Sequence, residues 1–179
     1  MHEVKRQIIM KSYRTEISLS EQQQIQYAKT VGACRYIYNL FIATNQERYK
    51  SGLKYLDNFK FSLWLNNEYI KNNPDKFWIK DVSSKSIRNT INNAHSSFVK
   101  FFRGKSGFPR FKKKFKDKTG MYFVRSSITQ SIKCERHRIK IPTLGWVKFK
   151  EYGYIPKTDI MSGTITRIAD RYYVSVITD

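Results

Sequence analysis

Acidic residues are scarce in this chain. Its 179 residues carry 14 Asp and Glu against 34 Lys and Arg, a formal net charge of +20, with the cations spread along most of its length. A compact chain with that surplus repels itself, so the composition points to an anionic partner, and phosphate backbones are the usual one. The same scarcity argues against a two-metal phosphodiester site within these residues, because such a site clusters several carboxylates within a few ångströms. The acids are scattered, with Asp75 and Asp81 sitting around a proline turn, and no catalytic residue is assigned. Cysteine is sparser still. Cys34 and Cys134 stand about a hundred residues apart, which offers neither a disulfide framework nor a C-x-x-C pair to hold zinc, so both read as small packing residues. His95 and His137 lack partners at ligand spacing, and no metal site is expected. No apolar run approaches the roughly twenty residues of a membrane span. The start, "MHEVKRQIIMKSYRT", lacks the apolar core of a signal peptide. The chain is therefore read as cytoplasmic, with no membrane contact.

Aromatics, by contrast, are plentiful. Tyr and Phe occur 12 times each, and the 40% hydrophobic content suffices for a real core. Rings beside cations stack on bases while Lys and Arg hold phosphates, which favours nucleic acid over an anionic membrane or mere solubility.

The periodicity changes twice along the chain. From Val4 to Ile17 the pattern alternates loosely, with Val4, Ile8 and Met10 on one face, and predicts a strand. Ser20 with Gln23 forms a capping box, and Ile25, Ala28, Val31, Cys34, Tyr38 and Phe41 follow at helical spacing to about Tyr49, with Gly32 as a possible kink. A second helix is predicted from Asp57 to about Lys71, on Phe61, Trp64, Leu65 and Tyr69, until Asn73-Pro74 stops it. A third starts near Ser83 or Ser84 and carries Ile87, Ile91, Ala94, Phe98 and Phe102 up to Gly104. Trp64, Trp78 and Trp146 lie in apolar stripes and are read as packing. Beyond Gly107 come short β-branched and aromatic runs, "MYFVRSSI", "HRIKIP", "WVKFKEY" and a hairpin "SGTITRI-ADR-YYVSVIT" with Ala169, Asp170 and Arg171 near its tip. A lone first strand needs partners for its backbone groups. The expected fold is thus α+β, a small antiparallel sheet or barrel with a helical insertion after its first strand.

Between helices and strands runs "FFRGKSGFPRFKKKFKDK" (Phe101 to Lys118). Arg103, Lys105, Arg110, Lys112, Lys113, Lys114 and Lys116 outnumber what Asp117 can neutralise, and are read as tracking a nucleic-acid backbone. Phe108 and Phe111 are expected to anchor this loop to the barrel.

"GACRYIYNLFIATNQERY", "SIRNTINNAHSSFVKFF", "GFPRFKKK", "IKIPTLGWVKF" and "SGTITRIADRYYVSV" resemble, in order and spacing, successive blocks of the amino-terminal half of TnpB/OrfB, transposon-encoded RNA-guided DNA endonucleases related to compact type V CRISPR effectors. The resemblance implies a wedge barrel (1–19 and 105–179) interrupted by a helical recognition lobe (20–104), with the RuvC nuclease domain and zinc ribbon absent. It implies guide RNA and target DNA as partners, with a separate RuvC-domain chain as a further one, and no cofactor here, magnesium being expected only with a RuvC half. Readout of a target-adjacent motif would fall to Tyr55, to Ser84, Lys85 and Arg88 at the start of the third helix, and to the wedge, where Ser126 and Ser127 are weaker candidates. Many relatives carry glutamine where this sequence has Arg88. Arg88 and Asn92 lie four apart, away from Ile87 and Ile91; Arg can grip guanine or a narrow minor groove, and Asn can pair with adenine. An ordinary polar helix face would show the same pattern. Three functions compete: the recognition half of a TnpB-like nuclease, a nuclease-free RNA-guided repressor, and an RNA-binding regulator that retains the scaffold.

Overall fold

A computed structural model describes residues 10–127, 129–156 and 159–178. The chain separates into two units, one comprising the residues up to Gln24 and from Tyr122 onward, the other Ile25–Met121.

Helical unit. α1 spans Glu21–Lys50 without a break at Gly32. Its capping box forms as expected: Ser20 N–H donates to Gln23 Oε1 (3.0 Å) and Gln23 N–H to Ser20 Oγ (3.3 Å). The buried stripe is not the expected one at its start. Ile25 and Ala28 are exposed, while Tyr27, Thr30, Cys34, Ile37, Phe41 and Asn45 face the core. Thr30 and Asn45 pack there because their side chains are satisfied, Thr30 Oγ1 donating to Gln26 O and Asn45 clasping the backbone of Leu56 through both amide atoms. α2 (Asn58–Trp64) is capped by Asp57, whose carboxylate accepts from Lys60 N–H (2.8 Å). It continues as a π-turn over Leu65–Tyr69, which sequence reasoning took as plain α-helix, before the short α3 (Ile70–Asn72). The π-turn has a packing reason: it sets Leu65 and Ile70, five apart, both into the core. After Asn73, Pro74–Asp81 forms a 3₁₀ helix, where only a stop was expected. α4 (Ser84–Phe102) starts at Ser83 as N-cap and buries Ile87, Ile91, Ala94 and Phe98, with Phe102 exposed. It ends in a Schellman turn at Gly104 (φ +66°), where Lys105 N–H bonds Lys100 O and Gly104 N–H bonds Phe101 O.

Sheet unit. The strands are β1 (Lys11–Ser18), β2 (Met121–Val124), β3 (Arg138–Ile141), β4 (Gly145–Phe149), β5 (Ile160–Ile168) and β6 (Arg171–Thr178). They form one antiparallel sheet, order β2-β5-β6-β1-β4-β3, curled into a half-barrel. The first strand is thus central. It pairs with β6 from Lys11↔Thr178 to Ile17↔Tyr172 and with β4 at Ile17↔Phe149 and Ser18↔Lys148. Residues 4–9 of the expected strand lie outside the described residues. The expected facing is corrected: Met10 is exposed, and Thr15 and Ile17 point inward with Val147, Phe149, Val174 and Val176. Gln23 ties the start of α1 to the β3–β4 hairpin, its Nε2 donating to Leu144 O and Trp146 O (3.0 and 2.9 Å). At the other hairpin Arg171 already pairs with Ile168, so the tip is Ala169-Asp170, with Ala169 at φ +54°.

Gly163 on β5 is crowded by the two strands that flank it, β2 and β6. A Cβ there would meet Phe123 Cζ at 2.4 Å and the Ser175 carbonyl oxygen at 2.7 Å, and the latter is backbone that cannot turn aside. Gly163→Ala should destabilise the protein by about 2 kcal/mol or more. The check is the denaturant midpoint, which an unstrained site would leave in place.

Candidate nucleic-acid interface

The cationic connector is held by one asparagine. Asn39 on α1 donates from Nδ2 to Lys112 O (2.9 Å) and accepts at Oδ1 from Lys112 N–H (2.7 Å), a two-point clasp of the kind a neighbouring strand would make. Upstream, Pro109 is buried and Phe108 meets Phe98 and Phe101 edge-on, centroids 5.5 and 5.3 Å apart. Phe111 lines a groove of about 830 Å³ with Arg35, Tyr36, Leu40 and Trp78. This corrects the expectation for Phe108 and Phe111: both rings engage the helical unit, because Asn39 fixes the backbone between them and the turn that follows against α1.

Downstream, the chain turns around Asp117. Its carboxylate accepts from Arg110 Nη2 (3.2 Å) and Lys113 N–H (2.8 Å), and its own N–H donates to Lys113 O. The seven expected backbone contacts therefore differ. Arg103, Lys105, Lys113, Lys114 and Lys116 are exposed, and Arg110 is paired with Asp117 yet open to water. Lys112 is not a surface cation. Its ammonium sits 4.3 Å from the Tyr38 ring centroid, and burial holds its pKa below the ordinary lysine value.

The four helix residues expected to read DNA do come together. Ser84, Lys85, Arg88 and Asn92 line a groove of about 540 Å³ whose opposite wall is α2 and the π-turn that follows it, presenting Asn58, Ser62 and Asn66. Asn58 Nδ2 donates to Asn92 Oδ1 across it (2.9 Å). Phe59 and Leu63 supply apolar surface beside these amides and remain exposed. Sequence reasoning missed the α2 wall. Its signal was present in the four-residue spacing of Asn58, Ser62 and Asn66, one polar ridge of a helix.

Tyr55 is placed elsewhere. Its ring stacks on His95 and meets Phe41, Phe98 and Phe102, and its hydroxyl lies 2.9 Å from His95 Nδ1. Burial raises the phenol's pKa, so Tyr55 keeps its proton in this hydrogen bond. Ser126 and Ser127 are exposed in the sheet unit, where Ser127 Oγ lies 3.1 Å from Thr129 Oγ1. Among the packing tryptophans, Trp78 is 40% exposed and Trp146 lies under the Arg138 guanidinium (4.3 Å). Both cysteines are free, Cys34 buried and Cys134 half-buried. Among the described residues no group of three or more His, Cys, Asp or Glu could hold a metal ion, and no helix is long and apolar enough to cross a membrane.

Comparison with known proteins bears on what this arrangement is. Over 170 residues, 95% of the chain, it is 25% identical to "Putative RNA-guided DNA endonuclease InsQ" of Escherichia coli (strain K12). Residues 9–54 match the OrfB/IS605-type family described as a helix-turn-helix domain. The TnpB/OrfB likeness holds. The chain spans about 40% of the length of the curated relative it matches. Among the described residues of the OrfB-type match, the fold is one strand and one unbroken helix, β1 and α1. The match thus carries the TnpB/OrfB likeness without supplying the two-helix reader that the description names.

The geometry separates the connector cations into two kinds. Replacing Lys113, Lys114 or Lys116 by Gln should weaken RNA binding and lower the slope of log affinity against log salt by about 1 each. Lys112→Gln should leave that slope nearly unchanged, since its ammonium is half-buried against Tyr38, whereas the other three are exposed. Binding titrations at several salt concentrations check this, and equal slope changes at all four positions would contradict it.

Proposed function

We propose that these residues are the nucleic-acid-recognition part of a TnpB-like RNA-guided DNA endonuclease. The exposed connector cations hold guide RNA through its phosphates, and the α2–α4 groove reads a short target-adjacent DNA motif. One observation carries the reading: Ser84, Lys85, Arg88 and Asn92 converge on one groove whose facing wall adds Asn58 and Asn66, so that donors and acceptors line both sides. Arg88 is exposed there and can present its guanidinium to guanine O6 and N7. Asn92 pairs with adenine through both amide atoms only after Asn58 releases Oδ1, so Asn58 sets how readily adenine is accepted. DNA cleavage, with its magnesium, belongs in this reading to a RuvC domain outside these residues, whether on the same polypeptide or on a partner chain. The InsQ likeness supports RNA and DNA as the partners.

Arg88→Ala should cost about 1–3 kcal/mol on the preferred motif and relax selection at one position of it. Selection from a duplex library randomised beside the guide-matched sequence measures this. A loss equal for every sequence would remove Arg88 from the readers.

A further inference from the structure

Phe115 stands where folding does not call for it. It is 92% exposed, and its backbone is left-handed at φ +66°, a region that a bulky L residue rarely occupies. The turn that presents it is built, with Asp117 after it gripping Arg110 and the Lys113 N–H before it. Lys114 Nζ lies over the Phe115 ring, 4.9 Å from its centroid, and the exposure leaves ring surface open to a planar partner. Lys113 and Lys116 are exposed beside it.

We propose that this turn is a stacking platform for an unpaired nucleotide: Phe115 takes the face of a base, and Lys113, Lys114 and Lys116 hold the neighbouring phosphates. The proposal rests on the connector being an RNA interface and adds a preference which phosphate contact alone would not create. Bases inside a duplex are already stacked on one another, whereas a single strand or a loop offers each base's face to a protein ring. An anionic lipid surface also attracts lysines, but an interfacial segment needs a broad apolar face, and here one ring stands in a polar turn beside Asp117.

The test uses the full chain with poly(U), a blunt RNA duplex and vesicles containing phosphatidylserine. Phe115→Ala should weaken poly(U) binding by about tenfold, the order of one base–aromatic stack, and leave duplex affinity within about twofold. Phe115→Trp should restore poly(U) affinity. Matching circular dichroism spectra would show that each variant folds. If Phe115→Ala leaves poly(U) binding intact while Lys113, Lys114 and Lys116 changed together to Gln weaken both RNAs, the stack is wrong and the phosphate interface stands. If Phe115→Ala weakens both RNAs equally, the single-strand preference is wrong. Loss of vesicle binding alone on Phe115→Ala would assign the ring to a membrane. An unmodified chain that binds neither RNA would overturn the interface itself.

Discussion

Two asparagine side chains on α1 do what a neighbouring strand would otherwise do. Asn45 clasps Leu56 through its N–H and C=O, and Asn39 clasps Lys112 in the same way. Each satisfies a donor and an acceptor of an irregular segment that has no ladder to join, and burying such groups unpaired is costly. The rest of the helical unit's functional surface hangs on these clasps. The first fixes the chain just before the Asp57 cap and hence the start of α2, one wall of the groove. The second fixes the backbone from which the Asp117 turn and its exposed cations project. α1 therefore positions both elements through these two clasps.

The positive charge and the core are kept apart. No Lys, Arg, Asp or Glu is among the buried residues described, and the polar groups that are buried are Thr, Ser and Asn. Among the described residues, the ion pairs engage Lys76, Arg110, Arg138 and Arg171, which leaves most of the surplus facing solvent. Lys112 is the instructive exception. Its stem and ammonium pack on Tyr38 at some cost to the charged form, so proximity in a run of lysines does not make equal participants of them.

Features set by nearby residues were legible in the sequence. The Ser20–Gln23 box, the cap at Ser83 or Ser84 and the Gly104 stop depend on hydrogen bonds spanning a few residues and lie where the pattern put them, while Asp57, expected as the first residue of the second helix, is its cap. Ser84, Lys85 and Arg88 came from the TnpB/OrfB resemblance, and helical spacing added Asn92, four residues from Arg88. Features decided by distant partners were not. The inward face of β1 is chosen by its pairing with β6 and β4, and the loose alternation around Met10 suggested the other face. Ile25 and Ala28 have the spacing of core residues, yet Tyr27 and Thr30 are the buried ones. The inward turn of the Tyr55 hydroxyl depends on His95, forty positions away. The π-turn at Leu65–Tyr69 has no sequence signature beyond the five-residue interval from Leu65 to Ile70.

In the proposed function the surplus of cations forms a phosphate-binding surface on a core that folds without it. The slope of RNA affinity against salt tests this most directly. If the connector cations other than Lys112 neutralise about six phosphates, affinity for a structured RNA should fall roughly a thousandfold between low and moderate salt, with log affinity linear in log salt. An affinity that stays flat across that range would contradict the account.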